Sequence, residues 1–236
     1  MKITIHQPEH MPWLGLFHKI SQADTLVFLD NVQYRRTYFQ NRNKIRVMQG
    51  WQWILVPVKY KFGQEIKDVL IDNTTNRWKK KYLESIATAY KKTAFFERYF
   101  SVLKPIINKQ WDYIAEMNEA LTVAMLGFLG LKPKIIKASS LKAQGKASDL
   151  LLGICRELTA HTYISGISGK EYLKSDDFQN SGIKVVFQEF HHPVYKQLYE
   201  PFIPCMSAID LVFNHGDKSL DIIKGIGVKV LEEVFH

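Results

Sequence analysis

Lys2-Ile3-Thr4-Ile5-His6-Gln7-Pro8-Glu9-His10-Met11-Pro12-Trp13-Leu14-Gly15 is the stretch of sequence that decides the fold. Residues 2–5 alternate polar and β-branched side chains, which predicts a short strand. Pro8 cannot donate to a strand ladder and ends it, whereas Pro12 suits the first turn of a helix, predicted over residues 13–23. Two imidazoles, a carboxylate and an amide therefore lie in a strand-to-helix turn. An open α/β sheet usually places its ligand at such a turn.

The same turn also has a purely structural interpretation. His6 can be a histidine whose hydrogen bonds are satisfied at a strand end, and Trp13 can be a core anchor. The turn alone leaves both interpretations open.

Composition places the chain among globular proteins that meet anionic partners. Of 236 residues, 46% are hydrophobic and 23% are charged, and 32 Lys and Arg against 23 Asp and Glu give a net charge of +9. Such a balance favours nucleic acid, phosphorylated small molecules or an acidic membrane surface. The two cysteines, Cys155 and Cys205, form no CxxC motif, and no apolar run reaches the ~18 residues of a membrane span. We therefore expect buried free thiols and a cytoplasmic location.

Residues 30–44 are rich in groups that form directed hydrogen bonds. They follow a predicted strand over residues 25–29 and alternate amides, guanidiniums and phenols, where a plain loop would carry Gly, Ser and Pro. These groups recognise sugars, nucleotides and carboxylates. A solvated loop is the alternative. The candidate binding residues of this segment are Asp30, Gln33, Arg35, Asn41, Arg42 and Asn43.

Strand and helix patterns alternate on both sides of a long helical stretch. Residues 50–58, 66–71, 134–137, 163–165 and 182–187 are predicted strands, and residues 76–130 are predicted to be helical, with a break at Pro105. This organisation predicts an α/β fold with a mainly parallel, Rossmann-like sheet. Residues 1–75 and 131–236 would form the core domain, and residues 76–130 would be an inserted helical sub-domain. The lysines of the insert are interpreted as a solvated helix face rather than a phosphate-backbone site.

Gly166-Ile167-Ser168-Gly169-Lys170 follows the predicted strand at residues 163–165. A Gly and Ser loop between a strand and a helix offers backbone N–H groups to an anion, and Lys170 adds a charge. The loop lacks the spacing of a Walker A motif. Ser168 and Lys170 are candidate substrate contacts on this basis.

Several motifs taken together resemble the WbqC-like protein family. They are His6-Gln-Pro-x-x-x-Pro-Trp13-Leu-Gly15, Phe28-Leu-Asp30-Asn-Val-Gln33, Gln40-Asn41-Arg42-Asn43, Gly50-Trp51-Gln52-Trp53, Ser165-Gly166 with Tyr172-Leu173, and His192-Pro-Val-Tyr195-x-Gln197 through Ser207, Asp210 and Asn214-His-Gly216. The resemblance runs in order from His6 to Gly216. Glu9, His10 and Met11 are atypical of the family pattern, which makes His6 a better catalytic candidate than His10.

The resemblance implies a role in surface-polysaccharide (O-antigen) biosynthesis. It suggests a transferase that moves an amino-acyl group, such as glycyl, to an amino sugar on a nucleotide-linked or phosphorylated carrier. Such a transfer needs a base, oxyanion donors and orientation of both substrates. His6 and Asp30 are the catalytic candidates. The predicted substrate contacts are Gln7, Trp13, Gln33, Arg35, Asn41, Arg42, Asn43, Ser168, Lys170, His192, Tyr195 and Gln197.

The sequence leaves the remaining components of the reaction open. It identifies no cofactor, no metal ligands and no acyl donor beyond an activated one, and no Ser-His-Asp or Cys-His spacing supports a covalent intermediate. One alternative is a nucleotidyltransferase-like enzyme, for which Mg²⁺ held partly by substrate would leave no motif. The other is a non-catalytic nucleotide- or RNA-binding protein, as the net charge of +9 would allow.

Overall fold

Five parallel strands form the centre of the structure, a computed structural model that describes residues 1–75 and 77–231. The central strands are β1 (Lys2–His6), β2 (Thr25–Phe28), β7 (Lys134–Lys137), β8 (Thr162–Ser165) and β9 (Lys184–Phe187). Outside this sheet lie β3 (Arg42–Val47), β4 (Gly50–Leu55), β5 (Val58–Lys59) and β6 (Leu70–Ile71). The helices are α1 (Leu14–Ile20), α2 (Arg77–Tyr90), α3 (Phe96–Asn108), α4 (Ile114–Phe128), α5 (Ala147–Glu157), α6 (Ser175–Asn180), α7 (Ile209–His215) and α8 (Ser219–Ile223).

The order of the central sheet is β7-β2-β1-β8-β9, and each neighbouring pair is parallel. The chain proceeds from β1 through β2 to β7 on one side and then crosses to β8 and β9 on the other. The direction of strand progression therefore reverses between β1 and β8. This topology confirms the predicted Rossmann-like α/β class, in which that reversal is the usual ligand position. β3–β4 and β5–β6 are separate antiparallel ribbons.

The sheet separates two hydrophobic cores because successive side chains of a strand point to opposite faces. On β2, Leu26 and Phe28 belong to the core shared by α1, α2, α3, α4 and α7, whereas Val27 belongs to the core under α5. On β1, Ile3 and Ile5 face α5. His6, one residue beyond Ile5, consequently points toward the face that α1 covers.

The helical stretch at residues 77–128 comprises α2, α3 and α4, and Asn76, its predicted first residue, lies outside the described residues. The buried faces of these helices share one core with α1 and β2. Whether residues 76–130 act as a separate domain stays a prediction. None of the helices within 1–75 and 77–231 combines the length and apolar character that a bilayer crossing requires.

Two local predictions were wrong. Pro105 does not break the helix but lies inside α3 on its exposed side, where water can solvate the Ser101 carbonyl that a proline cannot bond. Residues 66–71 are not one strand: a 3-10 turn (Ile66–Asp68) precedes the two-residue β6. Pattern alone cannot separate a short buried turn from a short buried strand.

Candidate functional site

His6, the last residue of β1, lies at the carboxyl edge of the sheet between its neighbours β2 and β8. Its ring nitrogen Nδ1 is 3.0 Å from Nζ of Lys19 on α1. Its other nitrogen, Nε2, is 3.2 Å from Oε1 of Glu9, although the two atoms lack the alignment of a hydrogen bond. Three titratable groups are thus brought to one point at the strand-order reversal.

Burial and neighbouring charge keep His6 neutral. About a quarter of its side-chain surface is exposed, but Nε2 itself is out of contact with water. Burial, followed by the positive charge of Lys19, lowers the pKa of His6, and the opposing effect of Glu9 is smaller. Burial also lowers the pKa of Lys19 from 10.5 to about 8. Both groups therefore hold their protons less tightly than they would in water.

The short distance between Lys19 and His6 couples their protons. When Lys19 is an ammonium it donates to Nδ1, so the single proton of a neutral imidazole is on Nε2 and faces Glu9. When the pair has lost one proton, Nδ1–H donates to the neutral amine and Nε2 has a free lone pair. The pair then acts as one proton acceptor with a shared titration. Nε2 of His6 and Oε2 of Glu9 make no hydrogen bond in the described residues.

Asp30, which follows β2, is buried and holds another loop in place. Its Oδ1 accepts from the backbone N–H of Ser139 at 2.9 Å, and its Oδ2 accepts from the Ser139 hydroxyl at 2.5 Å. Ser139 lies in the turn after β7. Both carboxylate oxygens therefore fasten the end of β7 to the end of β2. Its catalytic role stays a prediction.

The amides predicted to bind substrate are used inside the protein. The Gln40 amide donates to Oε1 of Gln7 at 2.6 Å, and the Asn41 amide donates to the Val56 carbonyl at 2.9 Å. The Asn43 amide donates to the Met11 carbonyl at 2.7 Å and is 1% exposed. The structure therefore brings these motifs next to the His6 turn as supports. Substrate contact by these amides stays a prediction.

His10 joins the turn to the helices and is not accessible. Its ring nitrogens lie 2.8 Å from Oδ1 of Asn118 and 2.7 Å from the Tyr82 hydroxyl. Burial lowers its pKa to about 4. The Asn118 amide also donates to the carbonyls of Pro8 and Gln40. His10 is thus a neutral structural residue.

The predicted contacts that remain accessible lie on either side of the turn. Gln33 and Arg35 are exposed on the 31–41 loop, and Arg42 on β3 stacks its guanidinium 4.6 Å from the Trp53 ring centre. Ser168 and Lys170 are exposed on the turn that follows β8. These side chains can meet a ligand without rearrangement of the core.

The C-terminal motif forms a buried cluster. His192, Tyr195 and Gln197 are at most 5% exposed. Tyr195 and Gln197 each donate to Oδ2 of Asp210 at 2.8 Å, and burial raises the pKa of Asp210 to about 6. Nε2 of His192 accepts from the Cys205 N–H at 3.1 Å. Each of the three predicted contacts therefore has an internal partner, and substrate binding by them stays a prediction.

Trp13 fixes the start of α1. Its backbone pairs with Ser207 and its ring packs edge-on against Phe190. A Cβ on Gly15 would lie 2.3 Å from the Trp13 ring, so only glycine leaves room for it. Contact between Trp13 and substrate stays a prediction.

Sequence analysis missed Lys19 and Asn118. A signal for Lys19 existed, since it lies three residues after the buried Leu16, within the apolar stripe of α1. Asn118 gave none, because its partners are 78 to 110 residues away in the chain.

Two surface depressions of about 530 and 390 Å³ lie elsewhere, the first between α2 and the end of α3 and the second beside α3, α4 and Asp217. Neither is lined by a predicted site residue. Their walls are open, and although the first is lined by the buried Lys79, neither is lined by a histidine, so topology and polar chemistry favour the sheet edge as the candidate site.

Fold and site together define a Rossmann-like α/β protein with a histidine–lysine pair at the carboxyl edge of its central strand. The chain belongs to the WbqC-like protein family, whose model matches residues 7–222. It is 31% identical over 227 residues to the uncharacterized protein Rv1507c of Mycobacterium tuberculosis, an alignment that covers 94% of this chain and 97% of that protein. No solved structure matches the chain.

Proposed function

We propose that the chain is a transferase of surface-polysaccharide biosynthesis that moves an amino-acyl group, such as glycyl, to an amino sugar on a nucleotide-linked or phosphorylated carrier. The observation that carries the proposal is the His6–Lys19 pair at the reversal of strand order. An amino sugar arrives as an ammonium and must lose a proton before its nitrogen can attack an acyl carbon. The pair supplies an acceptor for that proton.

The proton path follows from the distances. Nε2 of His6 is out of contact with water behind Glu9, so in this proposal the Glu9 side chain turns aside to admit the substrate ammonium, which its charge attracts. Nε2 takes a proton from the ammonium while Nδ1–H passes its proton to the neutral Lys19 amine, 3.0 Å away. The free amine then forms the new C–N bond with the acyl carbon. The donor's leaving group departs with the electron pair of the bond that breaks, and the second amine proton leaves with it or to solvent.

The remaining predicted residues have binding roles in this proposal. Arg35, Arg42 and Lys170 are accessible cations that suit the phosphates of the carrier. Ser168 lies on the turn after β8, across the reversal from His6. These contacts would orient the sugar so that its amine reaches Nε2.

The test is a transfer assay with a matched control. The chain is incubated with nucleotide-linked amino sugars and glycyl donors of three classes, a thioester, an adenylate and a tRNA ester, and the acylated sugar is detected by mass spectrometry. His6→Ala should lower turnover by ~10²–10⁴. His161→Ala is the control, because His161 is exposed at the opposite end of the neighbouring β8.

Three results would contradict the proposal. Equal activity of His6→Ala and the intact chain would exclude His6 as the general base. Release of pyrophosphate from a nucleotide without acylated product would favour a nucleotidyltransferase. Ligand binding without turnover across all three donor classes would favour a non-catalytic nucleotide- or RNA-binding protein.

A further inference from the structure

Residues 31–64 concentrate the positive charge of the chain. They hold seven of its 32 Lys and Arg and none of its 23 Asp and Glu, which leaves 25 basic against 23 acidic residues elsewhere. The seven are Arg35, Arg36, Arg42, Lys44, Arg46, Lys59 and Lys61. All except Arg46 are at least partly accessible to solvent. One short segment therefore carries seven of the nine units of net charge, six of them on accessible side chains.

Large apolar side chains are exposed on the same segment. Phe62 is 96% exposed, Met48 is 70% exposed and Leu55 is 46% exposed, and Trp51 and Trp53 have about two fifths of their surface in solvent. Met48 lies in the turn between β3 and β4, and Phe62 lies in the loop after β5. A folded protein seldom exposes such a group of side chains unless it binds another surface.

Contacts connect these residues into one surface. In the β3–β4 ribbon Lys44 pairs with Trp53 and Arg42 pairs with Leu55, so their side chains share a face. The Trp51 and Trp53 rings are 5.3 Å apart. We call this surface the basic aromatic face: Arg42, Lys44, Trp51, Trp53 and Leu55, flanked by the Met48 turn and the 59–62 loop.

We propose that the basic aromatic face docks on the surface of an anionic lipid bilayer. Lys and Arg lower the free energy of a protein near negative headgroups, and Trp and Tyr favour the boundary between headgroups and acyl chains. The exposed Phe62 and Met48 side chains would enter the apolar boundary, as the apolar face of an interfacial segment does. Both contributions come from the same 34 residues.

Ring geometry favours a bilayer over single-stranded RNA. Successive bases stack on aromatic faces, but the Trp51 and Trp53 rings meet at 83° and cannot support two stacked bases side by side. Lys44 and Arg42 already lie over these rings, at 4.6 Å from the centres of Trp51 and Trp53 respectively. Met48 has no ring on which a base could stack, and the Phe62 ring lies in the loop after β5, outside the β3–β4 ribbon.

Bilayer docking does not depend on the proposed transfer reaction. Gln40 connects the two regions, because its amide donates to Gln7 beside His6 and the following residues lead into β3. A protein docked through this face would hold the His6 turn near the membrane. Docking can nevertheless be measured without any turnover.

Vesicle sedimentation of the full chain tests the inference. Vesicles of phosphatidylglycerol and phosphatidylcholine in equal parts are compared with vesicles of phosphatidylcholine alone, at low and at physiological ionic strength. Two double variants remove one contribution each: Met48→Ser with Phe62→Ser, and Lys59→Gln with Lys61→Gln. The matched controls are Tyr172→Ser and Lys91→Gln with Lys92→Gln, which change exposed residues outside the segment.

We expect binding to the anionic vesicles only, weakened by salt and by ~tenfold or more in each double variant, with the controls unchanged. Circular dichroism and thermal midpoints establish that the variants are folded. Binding that is equal for neutral and anionic vesicles, or absent from both, would overturn the inference. An equal loss of vesicle binding in the control variants would overturn it too. So would a result in which the double variants weaken binding to single-stranded RNA, or to a second copy of the chain, but leave vesicle binding unchanged.

Discussion

The Nζ atom of Lys19 lies 3.0 Å from Nδ1 of His6, which joins the first helix to the end of the central strand through two titratable groups. Lys19 is 4% exposed, and its pKa is lowered to about 8 by burial. A buried lysine with only a structural role would lower the folding stability, because an apolar side chain could fill the same space without desolvating a charge. Its position suits proton exchange with the imidazole.

Transfer activity should rise with pH through a value of about 8 and level off above it, because the proton-accepting form of the pair is the one that has lost a proton. In Lys19→Met the charge that lowers the pKa of His6 is absent. We expect turnover of that variant to fall by ~10²–10³, and its pH midpoint to move below that of the intact chain. Initial rates across the pH range measure both. Identical pH–rate profiles of Lys19→Met and the intact chain would show that Lys19 takes no part in the proton transfer.

The lowered pKa of Lys19 should also make folding stability depend on pH. Its pKa is about 8 in the folded protein and 10.5 in the unfolded chain, so the unfolded chain binds more protons between these values and stability rises with pH in that window. Between pH 8 and pH 10 the rise should be about 2 kcal/mol, and Lys19→Met should lack it. Urea unfolding at pH 8 and at pH 10 measures the difference. A parallel rise in the variant would assign it to other groups.

Local features of the sequence predicted the sheet well. The strands β1, β2, β7, β8 and β9 follow from alternation and apolar runs, and their parallel direction follows from the helices between them, whereas their order in the sheet was not predicted. The conformations at Pro105 and at residues 66–68 were predicted wrongly. Both depend on which side of the element faces water. Exposure is a property of the packed molecule.

Partners of polar side chains could not be predicted. Asn43 and Asn118 carry the same group, and nothing in the sequence tells whether an amide meets a ligand or a carbonyl distant in the chain. The structure directs the amides of both to backbone carbonyls around the Pro8–Met11 turn. The partner of each amide depends on which loops the fold brings together, and that depends on the whole chain.

Asn118 should contribute more to folding stability than an asparagine on the surface. Asn118→Ala would leave the carbonyls of Pro8 and Gln40 and a ring nitrogen of His10 without their present partner, all three in the interior. We expect a loss of about 3 kcal/mol or more of unfolding free energy. Asn180→Ala, on the exposed surface of α6, is the control and should change it by less than about 0.5 kcal/mol. Similar values for the two variants would refute the turn-holding role.

Asp210 should give the opposite pH dependence from Lys19. Burial raises its pKa from 3.8 to about 6, so the folded protein binds more protons than the unfolded chain between these values and stability falls as pH rises. Between pH 4 and pH 6 the fall attributable to this carboxyl is about 2 kcal/mol. Asp210→Asn removes the titration and should reduce the fall between pH 4 and pH 6 by about that amount. Denaturant unfolding at several pH values tests this, and an unchanged slope would contradict it.

Gly15 and Gly127 both lie in helices, yet alanine should affect them with opposite sign. A Cβ at Gly127 would meet nothing within 4 Å, so Gly127→Ala should stabilise the protein by about 0.5 kcal/mol through helix propensity alone. A Cβ at Gly15 would lie 2.3 Å from the Trp13 ring, which packs against Phe190 and cannot stay in place. Gly15→Ala should therefore destabilise the protein by about 1–3 kcal/mol, as overpacking does. Urea unfolding of the two variants, of Trp13→Leu and of Trp13→Leu combined with Gly15→Ala separates the causes. In the Trp13→Leu background the added methyl group should cost little stability, because the indole that it would meet is absent. A destabilised Gly127→Ala, or a Gly15→Ala that the Trp13 change does not rescue, would show that the ring contact is not what requires glycine there.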